Sequence, residues 1–427
     1  MRILGWPAGR ILAAALAAAS ICALQGSLSL AQQEPAKKPA GKQPAKPTGP
    51  RTGSAAKPPV APDYSALPPS QIGIGTLARQ AYIVDAASDT VLLFKDADKP
   101  MHPSSMAKLM TVYIVFEELK AGRLKLDSRF RVSERAWRMQ GSKMFVDINK
   151  DVSVEELLKG IIVQSGNDAC VVIAEGLSGT EDAFAQRMTQ KGKDIGLTGS
   201  VFRNASGWPV EGQYVTARDL AIIAKRTIED FPDYYKYYSI AEYTYNGISQ
   251  ENRNRLLRNT PGTDGLKTGH TEEAGFGEVS STQRDGRRVI VVVNGLGSMA
   301  ERARETERLT EWAFREFSNV VVFRPGDKVV DAKVWIGQRD TVPLTTVKPI
   351  AVTVPAGQQG SVKATASYEG PLAAPLTKGQ AAGKVLVGVP GGKMQEFPLI
   401  VSEDVPQLGA FGRSWALIRH YLFGWMS

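Results

Sequence analysis

Hydrophobic periodicity changes character along this chain, and the order of the changes limits the folds open to it. Between residues 104 and 228 apolar residues recur at helical spacing, with helices expected at 153–164, 168–176, 180–194 and 216–228. Ser153-Val154-Glu155-Glu156 is a capping box that opens the first of these. Strands are expected at 266–270, 275–283 and 287–294, the last two joined around Asp285-Gly286, and an amphipathic helix at about 299–317. Two shorter strands, Ala81 to Asp85 and Val91 to Phe94, flank a polar Ser88-Asp89 turn and suit a hairpin. A helical lobe against an antiparallel sheet is an α+β domain. Beyond Phe323 only short alternating runs broken by Gly and Pro remain, such as Val352-Thr353-Val354 and Val385 to Val389, which indicates a small all-β domain at 322–404. With 427 residues, 43% of them hydrophobic, the chain can fill more than one core.

The N-terminus belongs to neither core. Arg2 and Arg10, the apolar run from Ile11 to Leu24, and Ser29-Leu30-Ala31 as a small-residue cleavage site read as a secretory signal at 1–31. Cys22 follows Ile21, not the small residue a lipobox needs, so lipidation is not expected. Residues 32–70 are Pro, Ala, Lys and Gly with little to bury, and read as a flexible linker. Cys170 is then the one cysteine of the exported chain; no disulfide is expected, and the thiol reads as a small buried hydrophobe. The net charge of +9 is concentrated in residues 1–70, which carry eight Lys and Arg against Glu34 and Asp63. The folded part therefore has no electrostatic case for binding nucleic acid.

Three short motifs occur in order: Ser105-x-x-Lys108, Ser165-Gly166-Asn167 and Lys267-Thr268-Gly269. Ser-x-x-Lys alone is weak, and Ser54-Ala55-Ala56-Lys57 repeats it inside the linker. Ser105 differs because Pro103 and Ser104 mark a helix start, and Met106, Leu109, Met110 and Tyr113 continue at helical spacing. That helix puts Ser105 and Lys108 at i and i+3 on one face. A serine hydroxyl needs a neighbouring base, and a lysine can serve only when desolvation or nearby cations lower its pKa. Alone, the pair would be a first-turn serine and a solvated lysine, and Ser165-Gly166-Asn167 an ordinary helix-helix turn with Gly166 permitting the bend. Only His102, His270 and His420 exist, so a multi-histidine metal site is not expected and a lysine base is the economical choice. Lys267-Thr268-Gly269 reads as strand, with Gly269 clearing space where a substrate backbone would pair along it.

With their surroundings, PSSMAKLMT at 103–111, SGNDAC at 165–170, DGLKTGHTEEAGF at 264–276, NRN at 252–254 and VWIG at 334–337, these motifs resemble the periplasmic D-alanyl-D-alanine carboxypeptidases of the penicillin-binding protein 5 type. Penicillin-binding proteins and class A β-lactamases share the trio of motifs. The resemblance runs from about residue 75 to the end. It implies a β-lactamase-like catalytic domain at 71–321, with Ser105 as nucleophile, Lys108 as base and Ser165 relaying a proton to the leaving amine. It also implies Asn167 holding the substrate amide, and Lys267, Thr268 and Arg253 meeting the C-terminal carboxylate, for which an arginine is suited. The backbone N–H groups of Ser105 and His270 would form the oxyanion hole. The substrate implied is a peptidoglycan pentapeptide ending in D-Ala-D-Ala, with β-lactams as acylating inhibitors and no metal or organic cofactor. Transpeptidase or endopeptidase action on the same substrate stays open, as does a non-catalytic cell-wall module. A class A β-lactamase is disfavoured because no Glu-x-x-Leu-Asn segment separates Ser165 from Lys267.

Residues 405–427 carry a separate signal. At about 100° per residue, Phe411, Trp415, Ile418, Leu422 and Trp425 share one face with Tyr421 on its flank, and Arg413 and His420 lie opposite. The segment is too short and too polar to span a bilayer, so an interfacial helix at the periplasmic face of the inner membrane is expected.

Overall fold

The computed structural model describes residues 74–388 and 394–423; the expected signal segment, the linker and Trp425 lie outside them. The central sheet is antiparallel and five-stranded, built from β1 (Gln80–Asp85), β2 (Val91–Lys95), β3 (Thr263–Thr271), β4 (Gly275–Arg284) and β5 (Arg287–Leu296) in the order β2-β1-β5-β4-β3. Alternation along β1 and β5 sends Ala81, Ile83, Val289, Val291 and Val293 to one face and Tyr82, Val84, Ile290 and Val292 to the other. Both faces are covered, which is why 289–293 is apolar without interruption.

On one face lies the helical lobe: α1 (Lys108–Lys120), α2 (Val154–Ile162), α3 (Asn167–Ser178), α4 (Glu181–Asp194) and α5 (Ala217–Asp230). α1 is buried nearly all round, from Leu109 through Phe116, as befits a helix at the centre of a lobe. The opposite face is covered by α6 (Met299–Glu316), whose Leu309, Trp312 and Ala313 pack on Ala81, Ile83 and Val291. Side-chain caps fix the helix starts: Ser153, Thr180, Thr216 and Ser298 each accept from a backbone N–H in the first turn, and Ser153 with Glu156 closes the expected capping box.

The chain then enters a second β module. Strand Phe317–Phe323 pairs antiparallel with Ile350–Pro355, and a six-stranded sheet follows. The expected boundary at 321/322 thus falls inside a strand that bridges the two cores: Phe317 packs on Trp312 of α6, while Val320, Val322 and Phe323 pack against the second module. Its core is aliphatic, built on Ala332, Val342, Leu344, Val352, Val385, Val387, Leu399 and Val401. Polar contacts tie it to the central sheet: buried Asp85 accepts from Arg287 at 2.8 Å and from Asn319 at 2.9 Å, Arg287 also donates to the Phe317 carbonyl at 2.7 Å, and the Ser88 and Thr353 hydroxyls meet at 2.6 Å. The last helix, α7 (Ala410–Phe423), exposes Phe411, Trp415, Leu417, Ile418 and Leu422. No helix among the described residues is long and apolar enough to cross a membrane.

Candidate active site

Ser105 does not lie on the α-helix proper. Ser104 takes a left-handed φ of 44°, and Ser104–Ala107 form a 3₁₀ turn that hands over to α1 at Lys108. Residues at i and i+3 eclipse in a 3₁₀ turn, so the tighter geometry aligns Ser105 and Lys108 more directly than the expected α-helix would. Lys108 Nζ donates to Ser105 Oγ at 2.8 Å, to Asn167 Oδ1 at 2.8 Å and to the Ser206 carbonyl at 2.7 Å. All three ammonium protons are matched. The side chain is fully buried, and burial pulls its pKa down from the usual lysine range to about 8; Arg253 pushes the same way, while Cys170, Asp168 and Glu181 pull back. With such a value roughly a tenth of the lysine is neutral at pH 7, and the charge is held by partners without being locked in.

The second motif bends at Ser165, not at Gly166. Ser165 adopts φ 58° whereas Gly166 sits at −58°, a value open to any residue. Gly166 is needed for space, because a Cβ there would lie 2.8 Å from Asp168 Oδ1. Ser165 Oγ is buried without a hydrogen-bond partner, a state that costs about 1–3 kcal/mol and leaves the hydroxyl able to give or take a proton. Asn167 opens α3, and its Nδ2 donates to the Gln140 carbonyl at 2.7 Å. Next to it, Asp168 gathers the backbone N–H groups of Met144, Phe145 and Val146 at 2.9–3.2 Å, fixing the loop that forms one wall of the cleft. Cys170 on α3 is fully buried, and burial pushes its thiol up to about 12, which suits a packing role.

The third motif runs along β3, the edge strand, whose far side has no strand partner among the described residues. Lys267 and Thr268 are each only 3% exposed, and Lys267 Nζ donates to the Thr268 carbonyl at 3.2 Å. Burial, with Lys108 and Arg253 adding to it, holds Lys267 well below the usual lysine range. For Gly269 the structure gives a different reason from the expected one. A Cβ there would come 2.0 Å from Ser104 Oγ and within 3.2 Å of Met106, so the glycine lets β3 pass against the nucleophile turn. His270 is exposed at the cleft edge with its ring stacked on Phe276 at 3.9 Å. Arg253 donates to Ser142 Oγ at 2.7 Å.

The cleft so formed encloses about 270 Å³, with Ser105, Ser142, Asn167, Trp208, His270 and Glu272 among its lining residues. Ser206, Gly207 and Trp208 were not foreseen. Asn204 Oδ1 accepts from the N–H of all three at 2.8–3.2 Å, which makes a tight turn that aims the Ser206 carbonyl at Lys108. A Cβ at Gly207 would lie 1.7 Å from the Ser104 carbonyl. The Asn-x-Ser-Gly run was the available signal, since those residues favour turns. No cluster of His, Cys, Asp or Glu suited to a metal occurs among the described residues.

A serine at the cleft paired with a buried lysine, beside a second serine and a second lysine, can run acyl transfer without histidine. Comparison with known proteins points the same way. The profile of the D-alanyl-D-alanine carboxypeptidase family matches residues 69–297, and that of the penicillin-binding protein 5 C-terminal domain matches 317–407. D-alanyl-D-alanine carboxypeptidase DacC of Escherichia coli is 38% identical over 362 residues, covering 82% of this chain and 90% of its own. DacA of Haemophilus influenzae is 37% identical over 79% of this chain and 88% of its own. Among solved structures, penicillin-binding protein 5 from Haemophilus influenzae superposes with a TM-score of 0.74 at 36% identity, over 78% of this chain and 99% of that one. Penicillin-binding protein D2 from Listeria monocytogenes, in an ampicillin-bound form, superposes at 0.52 with 30% identity over 57% of this chain and 99% of that one. The chain belongs to the family of D-alanyl-D-alanine carboxypeptidases, with the helical lobe and antiparallel sheet of the penicillin-binding proteins followed by their β-rich C-terminal domain.

Proposed function

We propose that this protein is a serine D,D-carboxypeptidase that removes the terminal D-alanine from peptidoglycan stem peptides. The observation that carries the reading is the fully buried Lys108, 2.8 Å from Ser105 Oγ with its pKa drawn down to about 8. Neutral Lys108 takes the Ser105 proton as Oγ attacks the carbonyl carbon of the penultimate residue. The N–H groups of Ser105 and His270 stabilise the oxyanion. Collapse breaks the peptide bond, the amine of D-alanine leaves with a proton passed through Ser165, and the peptide remains as an ester on Ser105. Water then attacks that ester, the carboxylic acid departs, and Ser105 recovers its proton. Thr268, Lys267 and Arg253 meet the substrate carboxylate while Asn167 holds the amide. A β-lactam acylates Ser105 in the same way.

The same reading puts the enzyme outside the cytoplasm, on the periplasmic face of the inner membrane. The signal-like N-terminus supports export, and the exposed Phe411, Trp415 and Ile418 on α7 support attachment in the interface. The test is to incubate purified protein with a pentapeptide ending in D-Ala-D-Ala and measure free D-alanine. Release of one equivalent per peptide is expected. An intact peptide after prolonged incubation, or an exclusive dimer product, would overturn the reading.

A further inference from the structure

Behind the carboxylate-binding residues lies a buried ion pair that the mechanism does not use. Glu278 on β4 is fully buried, and Arg302 on α6 is 2% exposed. Arg302 Nε lies 3.2 Å from Glu278 Oε2, an ion-pair contact without the alignment of a hydrogen bond, and the Thr306 hydroxyl donates to the Arg302 carbonyl at 2.8 Å with Glu278 Oε2 3.5 Å away. The other end of the guanidinium points elsewhere: Nη2 donates to the Arg253 carbonyl at 2.9 Å. Glu278 stands directly opposite Thr268 in the β3–β4 register, and paired residues of an antiparallel sheet project from the same face. The chain of contacts therefore runs from beside Thr268, through Glu278 and Arg302, to the backbone of Arg253.

A buried ion pair is a poor device for stability, because desolvating both charges offsets most of their attraction. Here the desolvation is visible: burial pushes Glu278 up to about 7 against the pull of Arg302, and burial likewise lowers Arg302. Arg302 is also a second cation close enough to lower Arg253 further. Packing alone would favour aliphatic residues at both positions. What the pair adds is direction, since a charged and planar guanidinium fixes a backbone carbonyl at a set distance from β4. Neighbouring contacts point to the same segment: Asn254 Nδ2 donates to the Gly265 carbonyl at 2.9 Å, and Asn252 Nδ2 to the Ile240 carbonyl at 3.0 Å.

We propose that Glu278 and Arg302 are positioning residues that hold the backbone of Arg253 in place, and so set the affinity for a substrate's C-terminal carboxylate without taking part in acyl transfer. The inference rests on the proposed carboxypeptidase reaction. Its test is steady-state hydrolysis of a pentapeptide ending in D-Ala-D-Ala by the purified wild type, Arg302→Lys, Arg253→Ala and the double variant. Arg302→Lys keeps a charge for Glu278 but loses the planar fork, so KM should rise roughly tenfold while kcat stays within about twofold. In the Arg253→Ala background the same substitution should add nothing, because the residue it positions is gone. Glu278→Gln, read in the same two backgrounds, should behave alike and serves if Arg302→Lys does not fold. A fall in kcat at constant KM, or a KM rise that persists undiminished without Arg253, would overturn the inference. Wild-type protein that releases no D-alanine strikes the proposed reaction and the inference together; a wild type that does, with KM indifferent to Arg302 and Glu278, strikes the inference alone.

Discussion

The two β-sheets of this molecule are filled by opposite rules. In the C-terminal module the core is Val, Leu, Ile and Ala, and among the described residues its buried polar ones are the threonines Thr345, Thr346 and Thr353. In the catalytic domain, by contrast, Asp85, Lys108, Asp168, Asp219, Lys267, Glu278 and Arg302 are all buried. Burying a charge is costly unless it is paired, and an aliphatic core of similar volume is often at least as stable. The C-terminal module takes the stable solution. The catalytic domain accepts the costlier one, and for Lys108 and Lys267, where β3, the Ser104–Ala107 turn and the start of α3 converge, the reason is chemical: a lysine is a base near neutral pH only when burial has lowered its pKa.

That contrast can be broken first at the nucleophile. Ser105→Ala removes one oxygen from a turn whose backbone is set by Ser104 and Pro103, so the fold should stand. D-alanine release and covalent penicillin labelling should both disappear. Labelling that survives on another serine would detach the buried lysine from catalysis.

The base is the next largest effect. Lys108→Arg keeps the charge but cannot deprotonate, and acylation should fall by about 10²–10⁴-fold. In the wild type the reactive form is neutral, and the Lys108 pKa is lowered to about 8. Acylation should therefore climb about tenfold per pH unit below 8 and level off above it. A rate flat from pH 6 to 9 in stopped-flow labelling would mean that Lys108 is not the group whose proton is removed.

Much of this site was legible in the chain because its pieces are local. Ser105 and Lys108 are three residues apart, and Ser165, Gly166 and Asn167 are contiguous, so helix and turn rules place them. Local rules failed where the reason for a residue lies far along the chain. Gly269 yields to Ser104, Ser165 carries the positive φ that its glycine neighbour was expected to take, and Lys108 finds the Ser206 carbonyl 98 residues away. Glu278 and Arg302 were invisible for the same reason. In sequence they are a polar strand residue and one charge among many on an amphipathic helix; hydrophobic period reports which face is buried but not which charge meets which. The β module was legible as strands, since alternation alone suffices for a core without specific partners.

The C-terminal module should answer to perturbation in the opposite sense. Leu344 and Leu399 are fully buried within it, and Leu344→Ala should cost about 2–5 kcal/mol in that module's unfolding. Because every proposed catalytic residue precedes residue 271, kcat and KM should hold at temperatures where the module is still folded. A loss of D-alanine release in parallel with the loss of stability would show that the Asp85, Arg287 and Asn319 contacts transmit order from one sheet to the other.

The smallest effect on catalysis belongs to α7. Its exposed Phe411 and Trp415 would gain by entering a membrane interface, and Arg413 can reach anionic head groups. Truncation after Pro406 keeps both aliphatic and charged cores, so D-alanine release should be unchanged within about twofold, the scatter expected when a removed segment touches no reacting group. Cosedimentation with vesicles of anionic and zwitterionic lipid should fall to background in the truncated protein and weaken with salt in the full chain, because a basic helix adds a screened attraction to the aromatic one. A truncated protein that still sediments would move the attachment to the N-terminal segment and leave the aromatic face of α7 needing another partner.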